Sequence, residues 1–276
     1  MLATLENIFA YDFLVNAFVA SILSGVTCGI VGCYVVARRK VFLSSGITHA
    51  SFGGLGIALY AGLNPILGAL LFAIVSSVGI EYASRRGGVR EDSAVGIIWS
   101  VGMAIGALFM SLRPGYATDL TSYLFGNILL VTPRDIVGLA LLTAFLVTGS
   151  IIWLRRLMYI TFDEEYAKSQ GINIQRVAYV MAVVIAIAIV LSIKVMGIIL
   201  LLSLITIPTV IANDITKNFR LIAPLSAIIA VVGNISGFIL SYEYDIPTGS
   251  CIIFILVVLL IGVKLLTLWH RRATTL

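Results

Sequence analysis

Residues 44–56 read SSGITHASFGGLG. At helical spacing, Ser45, His49, Phe52 or Gly53, and Gly56 fall along one face. So little bulk on that face lets another backbone come close, as membrane helices do. Apolar runs flank the stretch on both sides, which places the His49 imidazole inside a bilayer. Ionisable groups are costly there and tend to line a cavity or a pathway. The plainer alternative is that His49 only hydrogen-bonds a neighbouring carbonyl, and the stretch alone leaves both open. The chain's other histidine, His270, lies in the C-terminal tail.

Composition agrees with the bilayer. Of 276 residues, 60% are hydrophobic and 11% charged, with a mean hydropathy of +1.10. A soluble domain is about 45–50% apolar and about 25% charged. The expected fold is all-α: a polytopic helical membrane protein forming one membrane domain over residues 1–276. A membrane β-barrel would show short alternating segments instead of long apolar runs. The net charge of +5 and pI near 9.2 do not call for nucleic acid, since membrane proteins gather basic residues on the cytoplasmic side. The first twelve residues carry Glu6 and Asp12 and no Lys or Arg, so no secretory signal is expected. Cys28, Cys33 and Cys251 lie in apolar runs and read as small buried residues.

A membrane span takes roughly 20 apolar residues. Candidate spans cover 13–36, 44–61, 66–80, 94–112, 136–154, 177–193, 195–212, 221–240 and 251–268. The segment 120–131, LTSYLFGNILLV, is too short and too polar at its start to cross alone, and reads as interfacial or re-entrant. An N-out, C-in arrangement puts Arg and Lys at positions 38, 39, 40, 85, 86, 90, 155, 156, 168, 176, 217, 220, 264, 271 and 272 inside. That leaves Arg113, Arg134 and Lys194 outside, fifteen against three, as the positive-inside tendency requires. Outside acids would be Glu6, Asp12, Asp119, Asp135, Glu243 and Asp245. An acidic mouth raises the local concentration of cations.

No GxxxxGK[ST] loop is present, nor a nucleophile elbow or an HExxH run. A membrane protein without a soluble catalytic domain is expected to be a transporter, channel, receptor or assembly factor, and an enzyme with its active site in the membrane, using a lone His as base, stays open at this point. Residues 242–254, YEYDIPTGSCIIF, look like a helix start, with Asp245 as N-cap and Pro247 in the first turn. A capped helix is the plain reading. The functional one has Asp245, with Glu243, offering oxygen ligands at the mouth of a path. A neutral imidazole with carboxylates suits Zn²⁺, Mn²⁺ or Fe²⁺. Residues 162–176, FDEEYAKSQGINIQR, suggest a short surface helix ended by Gly171. It is either a solvated connection or a lever contacted by a soluble partner.

Four pieces, HASFGGLGIAL (49–59), SYLFGNILLVTPRD (122–135), VMGIILLLSLITIP (195–208) and YDIPTGSCIIF (244–254), resemble the permease subunits of bacterial ABC importers for zinc, manganese or iron. Their order and spacing extend over nearly the whole chain. The resemblance implies a homodimer in the bacterial cytoplasmic (inner) membrane that pairs with ABC ATPase subunits. It also implies an extracytoplasmic metal-binding protein that delivers the ion. The metal would be cargo, and no cofactor is expected. His49 matches the family's second-span histidine and Asp245 its aspartate before Pro-x-Gly, with Ser45 and Gly53 expected to line the pathway. Asp163, Glu164, Glu165 and Gly171 fall in the stretch 163–174 that matches the coupling loop. Zinc-type members often carry Asp where Ser45 stands, and Pro208-Thr209-Val210 replaces a Pro-Ala-Ala. Two alternatives remain: a permease for a metal chelate such as a siderophore or corrinoid, and an ATP-independent channel or secondary transporter.

Overall fold

The computed structural model describes residues 11–112, 126, 128 and 131–274, the last five of these without their side chains. Among the described residues the secondary structure is helical, and no strand occurs. Helices α1 (Asp12–Ala37), α2 (Val41–Tyr60), α3 (Pro65–Arg85) and α4 (Glu91–Ser111) follow one another through short turns. Helix α5 (Pro133–Phe162) leads into the short α6 (Glu164–Ser169), and then come α7 (Ile174–Ile215), α8 (Phe219–Tyr244) and α9 (Thr248–Thr274). Most of 120–131, where an interfacial or re-entrant piece was expected, lies outside the described residues, as do Glu6, Arg113 and Asp119.

Local chemistry sets the helix ends. Asn64 caps α3 by accepting from the Ile66 N–H at 2.9 Å, with Pro65 in the first turn where no N–H is needed. Thr132 and Asp135 form a capping box on α5. That helix runs past Arg155-Arg156, the expected stop, to Phe162, so the basic pair sits on the helix itself.

Among the described residues, eight helices are long and apolar enough to cross a membrane, α7 among them with 42 residues. Its first arm starts beside α6, where Ile174 clusters with Ile160 and Ala167. Lys194 then reaches Asp135, in the first turn of α5, at 2.7 Å. Yet Ala212 returns to pack with Cys33, Phe219 and Leu154, back at the end where α5 finishes. One helix thus crosses twice, and its reversal is at Gly197, with φ 73° and ψ 168°. Only glycine adopts that backbone region readily. Among the described residues the bundle accordingly has nine crossings, as the apolar runs suggested. The break falls at Gly197 and not at Lys194, because the lysine stays helical and is paired.

The contacts define two ends. Arg38, Lys40, Glu81, Arg85, Glu164 and Asp214 gather at one, here termed the basic end. Asp135, Lys194, Gly197 and the α8–α9 turn lie at the opposite, cavity end. Between them α1 is buried along much of its length, and its polar residues tie it to neighbours. Thr27 and Thr143 hydroxyls meet at 2.9 Å, and the Asn234 side-chain amide donates to the Ser21 carbonyl at 2.9 Å. Such hydrogen bonds contribute to association between helices that lack a hydrophobic drive in lipid.

Candidate functional site

Helix α2 enters from a tight turn in which Arg39 has φ 56°. Its small residues let α4 and α3 touch its backbone. A Cβ on Gly53 would come within 2.8 Å of the Gly102 carbonyl oxygen, and one on Gly56 within 2.6 Å of Gly106's. A Cβ on Gly54 would likewise collide with the Gly68 carbonyl oxygen of α3. Gly53, expected to line a path, thus faces the α4 backbone within this chain. Ser45 is buried one turn before His49.

His49 itself is half-buried. Its ring lies flat on the Trp99 indole of α4, with centroids 4.3 Å apart and planes 4° from parallel. Its Nδ1 is buried and has no hydrogen-bond partner. A hydrogen bond to a neighbouring carbonyl is therefore not made through Nδ1. Trp99 also meets Phe42, two turns before His49, at 6.2 Å.

A cavity of about 620 Å³ opens at the other end of the bundle, among Met196, Leu200, Phe238, Ser241, Asp245 and Thr248. Asp245 is the one acidic residue among its described lining and is exposed. It does not start α9 as the sequence suggested. It ends α8 as C-cap, in the left-handed conformation (φ 52°, ψ 44°), with its N–H donating to the Ser241 carbonyl. Aspartate tolerates that conformation better than most residues, which is why it suits a helix stop as well as a start. The Ser241 hydroxyl donates to the Ile246 carbonyl at 2.6 Å and lies 2.8 Å from the Thr248 hydroxyl, so this serine holds the turn. Glu243 is exposed and outside the cavity wall, and His49 does not line it. Among the described residues, no group of three or more His, Cys, Asp and Glu side chains is placed to hold a metal ion. The single chain therefore does not assemble His49, Asp245 and Glu243 into one ligand set.

At the basic end, α6 stands out from the bundle. Asp163 caps it by accepting from the Tyr166 N–H at 2.9 Å, and Gly171, with φ 74°, turns the chain toward α7. Only Ala167 is buried, against Ile160 and Ile174. Glu165 is exposed, but Glu164 is engaged: Arg38 donates to its carboxylate at 2.7 Å and to the Ile160 carbonyl at 2.8 Å. Beside this, Lys40 and Glu81 form a buried ion pair, Arg85 joins Glu81 at 2.9 Å, and Glu91 stands 3.4 Å from Lys40. Sequence reasoning read Arg38 and Lys40 only as orientation charges and missed Trp99 altogether. An aromatic inside an apolar run carries no signal of what it stacks on.

Comparison with known proteins supplies the frame for these features. The description "ABC 3 transport family" matches residues 10–267. A Chlamydia trachomatis protein named "Probable metal transport system membrane protein" is 32% identical, over 99% of this chain and 94% of its own. The manganese transport system membrane protein MntC of Halalkalibacterium halodurans is 29% identical, over 91% of this chain and 86% of its own. Among solved structures, PsaBC from Streptococcus pneumoniae, in complex with Fab, superposes with a TM-score of 0.85 at 25% identity, covering 95% of each chain.

Proposed function

The chain belongs to the ABC 3 transport family, as a multi-pass membrane permease of the metal-transport type, and on that premise we propose that it carries a divalent transition metal into the cytoplasm at the expense of ATP hydrolysed by a partner. One observation carries the reading most directly. His49 sits within a packed helix pair with its Nδ1 buried and unpartnered. From Lys40 to His49 is nine residues, about 14 Å of helix at roughly 1.5 Å per residue. That depth is near the middle of a hydrocarbon core about 30 Å thick. A polar nitrogen kept free there is available to an ion in transit.

The basic end is assigned to the cytoplasm, giving N-out and C-in, because basic residues concentrate on that side of membrane proteins. An ABC ATPase subunit docks on α6 through the exposed Asp163 and Glu165, with Gly171 ending the lever and Glu164 held to α1 by Arg38. An extracytoplasmic metal-binding protein delivers the ion at the cavity end, where Asp245 and Glu243 present carboxylates. Residues 1–276 act as one membrane domain in a homodimer, and the second copy completes the ligand set that one chain lacks. A transport site must bind weakly enough to release, so few ligands per chain suffice. MntC's name supports manganese as the first metal to test; zinc and iron remain within the same ligand chemistry.

The test is His49→Gln, which keeps hydrogen bonding but ligates transition metals poorly. In cells limited for Mn²⁺ or Zn²⁺, this variant inserts and assembles at wild-type levels while uptake of the cognate ion falls to background. Wild-type uptake by His49→Gln would leave the histidine a packing residue and remove the reading.

A further inference from the structure

We propose that Trp99 is a positioning residue for metal passage: its indole face holds the His49 imidazole and balances the charge of the loaded ring. This rests on the reading of His49 as a metal-handling group, and it names what tunes that group in this chain.

Three observations converge on Trp99. Its ring lies parallel to His49, at 4.3 Å and 4°, which fixes the plane in which the ring nitrogens point. The stack donates no hydrogen bond to the imidazole, and Nδ1 is indeed without a partner. An indole face therefore orients the ring and leaves its nitrogens unused, which a hydrogen-bonding neighbour would not do. The same indole meets Phe42 at 6.2 Å, and Phe42 and His49 are seven residues apart on α2. Two turns of helix separate them, with Ser45 between on the same face. Trp99 thus spans the turn that bears Ser45, a buried position too small to bring charge of its own.

The electrostatics follow from the aromatic quadrupole. An imidazole that accepts a metal ion gains positive character, and the face of an indole attracts a cation placed above it. Tryptophan offers the strongest such face among the aromatic side chains. Close packing of α2 on α4 keeps the two rings together, since Gly53 and Gly56 let the α4 backbone approach at Gly102 and Gly106. With a neutral serine at position 45, the ring face supplies the favourable interaction and does not bind the ion itself.

The experiment reads uptake kinetics and fluorescence. In cells, Mn²⁺ and Zn²⁺ uptake is measured for Trp99→Phe, Trp99→Ala and Ser45→Asp/Trp99→Ala. The expected result is a KM raised about tenfold in Trp99→Ala and less in Trp99→Phe, with the maximal rate kept, and a return toward wild type in the double variant. An unchanged KM, or a lower rate at unchanged KM, overturns the proposal. The second measurement keeps Trp99 and needs no disruptive change there. In Trp153→Phe/Trp269→Phe, Trp99 is the only tryptophan left, and Co²⁺ quenches its emission at saturating metal. Adding His49→Gln abolishes that quenching. Emission indifferent to Co²⁺, or quenching that survives His49→Gln, overturns the proposal even where Trp99→Ala fails to assemble. If His49→Gln itself takes up metal normally, the functional reading fails instead, and the two failures are distinguishable.

Discussion

At the basic end, Lys40 is buried against Glu81, Glu81 also takes Arg85, and Arg38 joins α1 to both Ile160 and Glu164. At the cavity end, the described wall of a space of about 620 Å³ carries one carboxylate, Asp245, and much of the order comes from backbone geometry. There Gly197 reverses α7, a Cβ on Gly126 would stand 2.3 Å from the Gly197 nitrogen, and Ser241 clasps the α8–α9 turn. One end is fastened by a buried charge hub, the other by turns and a single, more exposed ion pair, Lys194–Asp135. The difference matters because the two kinds of fastening fail differently. Removing one partner of a buried ion pair strands the other in a poor dielectric, whereas a turn loses only what its conformation costs.

The largest effect is therefore expected at Glu81, which is 3% exposed and serves two cations. Glu81→Leu leaves Lys40 buried with only the half-exposed Glu91 at 3.4 Å. A loss of about 3–5 kcal/mol is expected, read as a lowered midpoint of thermal unfolding in detergent. Lys40→Met/Glu81→Leu together regain most of it, because a pair replaced by apolar groups strands nothing. A single variant as stable as wild type would break the contrast between the ends.

Much of the architecture was legible beforehand, and its physical basis explains which parts were not. Length of apolar run and placement of Lys and Arg marked the crossings, because both respond to the bilayer and not to neighbours. The Asn64 cap and the Thr132–Asp135 box went unread, although capping is local and leaves its mark in neighbouring residues. Gly197 was missed as the reversal because a charged residue, Lys194, interrupts the run three positions earlier and looked like the boundary. Its partner, Asp135, is 59 residues away. Asp245 was misplaced by one helix, since an aspartate followed by Ile-Pro suits a helix end as well as a start. The glycines of α2 announced a close approach but not whose backbone would make it. Trp99 stacking on His49 and Arg38 bonding Glu164 are contacts between distant segments, which nothing in one sequence encodes locally.

A middle-sized effect tests the cavity end. Gly197→Ala forces a side chain onto φ 73°, ψ 168°, at an expected cost of about 1–3 kcal/mol. The control is Gly171→Ala at the basic end, where φ is 74° but no atom lies within 4 Å of an added Cβ. That substitution should cost about 1 kcal/mol, the conformational penalty alone. Thermal midpoints of both variants separate the two. Equal losses would show that the reversal of α7 is no more constrained than a surface loop, and the cavity end would lose its defining feature.

The smallest effect belongs to a pair at the basic end that looks, on distance alone, as good as the others. Lys264 of α9 stands 2.8 Å from Asp214 of α7, close to the separation between Arg85 and Glu81. Its side chain is 50% exposed, however, and the aspartate's 19%. Water and salt screen such a pair, and holding a long lysine in one rotamer costs entropy that offsets the attraction. Lys264→Met should therefore change the unfolding midpoint by less than the equivalent of about 0.5 kcal/mol. Any effect it has should shrink further in 0.5 M salt, roughly, where exposed charges lose sight of each other within a few ångströms. The Glu81→Leu loss should persist under the same conditions, since Lys40 and Glu81 are out of reach of ions. A loss at Lys264 approaching that at Glu81 would mean the basic end is held by summed charge across its surface, and the buried Lys40–Glu81 hub would not be what distinguishes it.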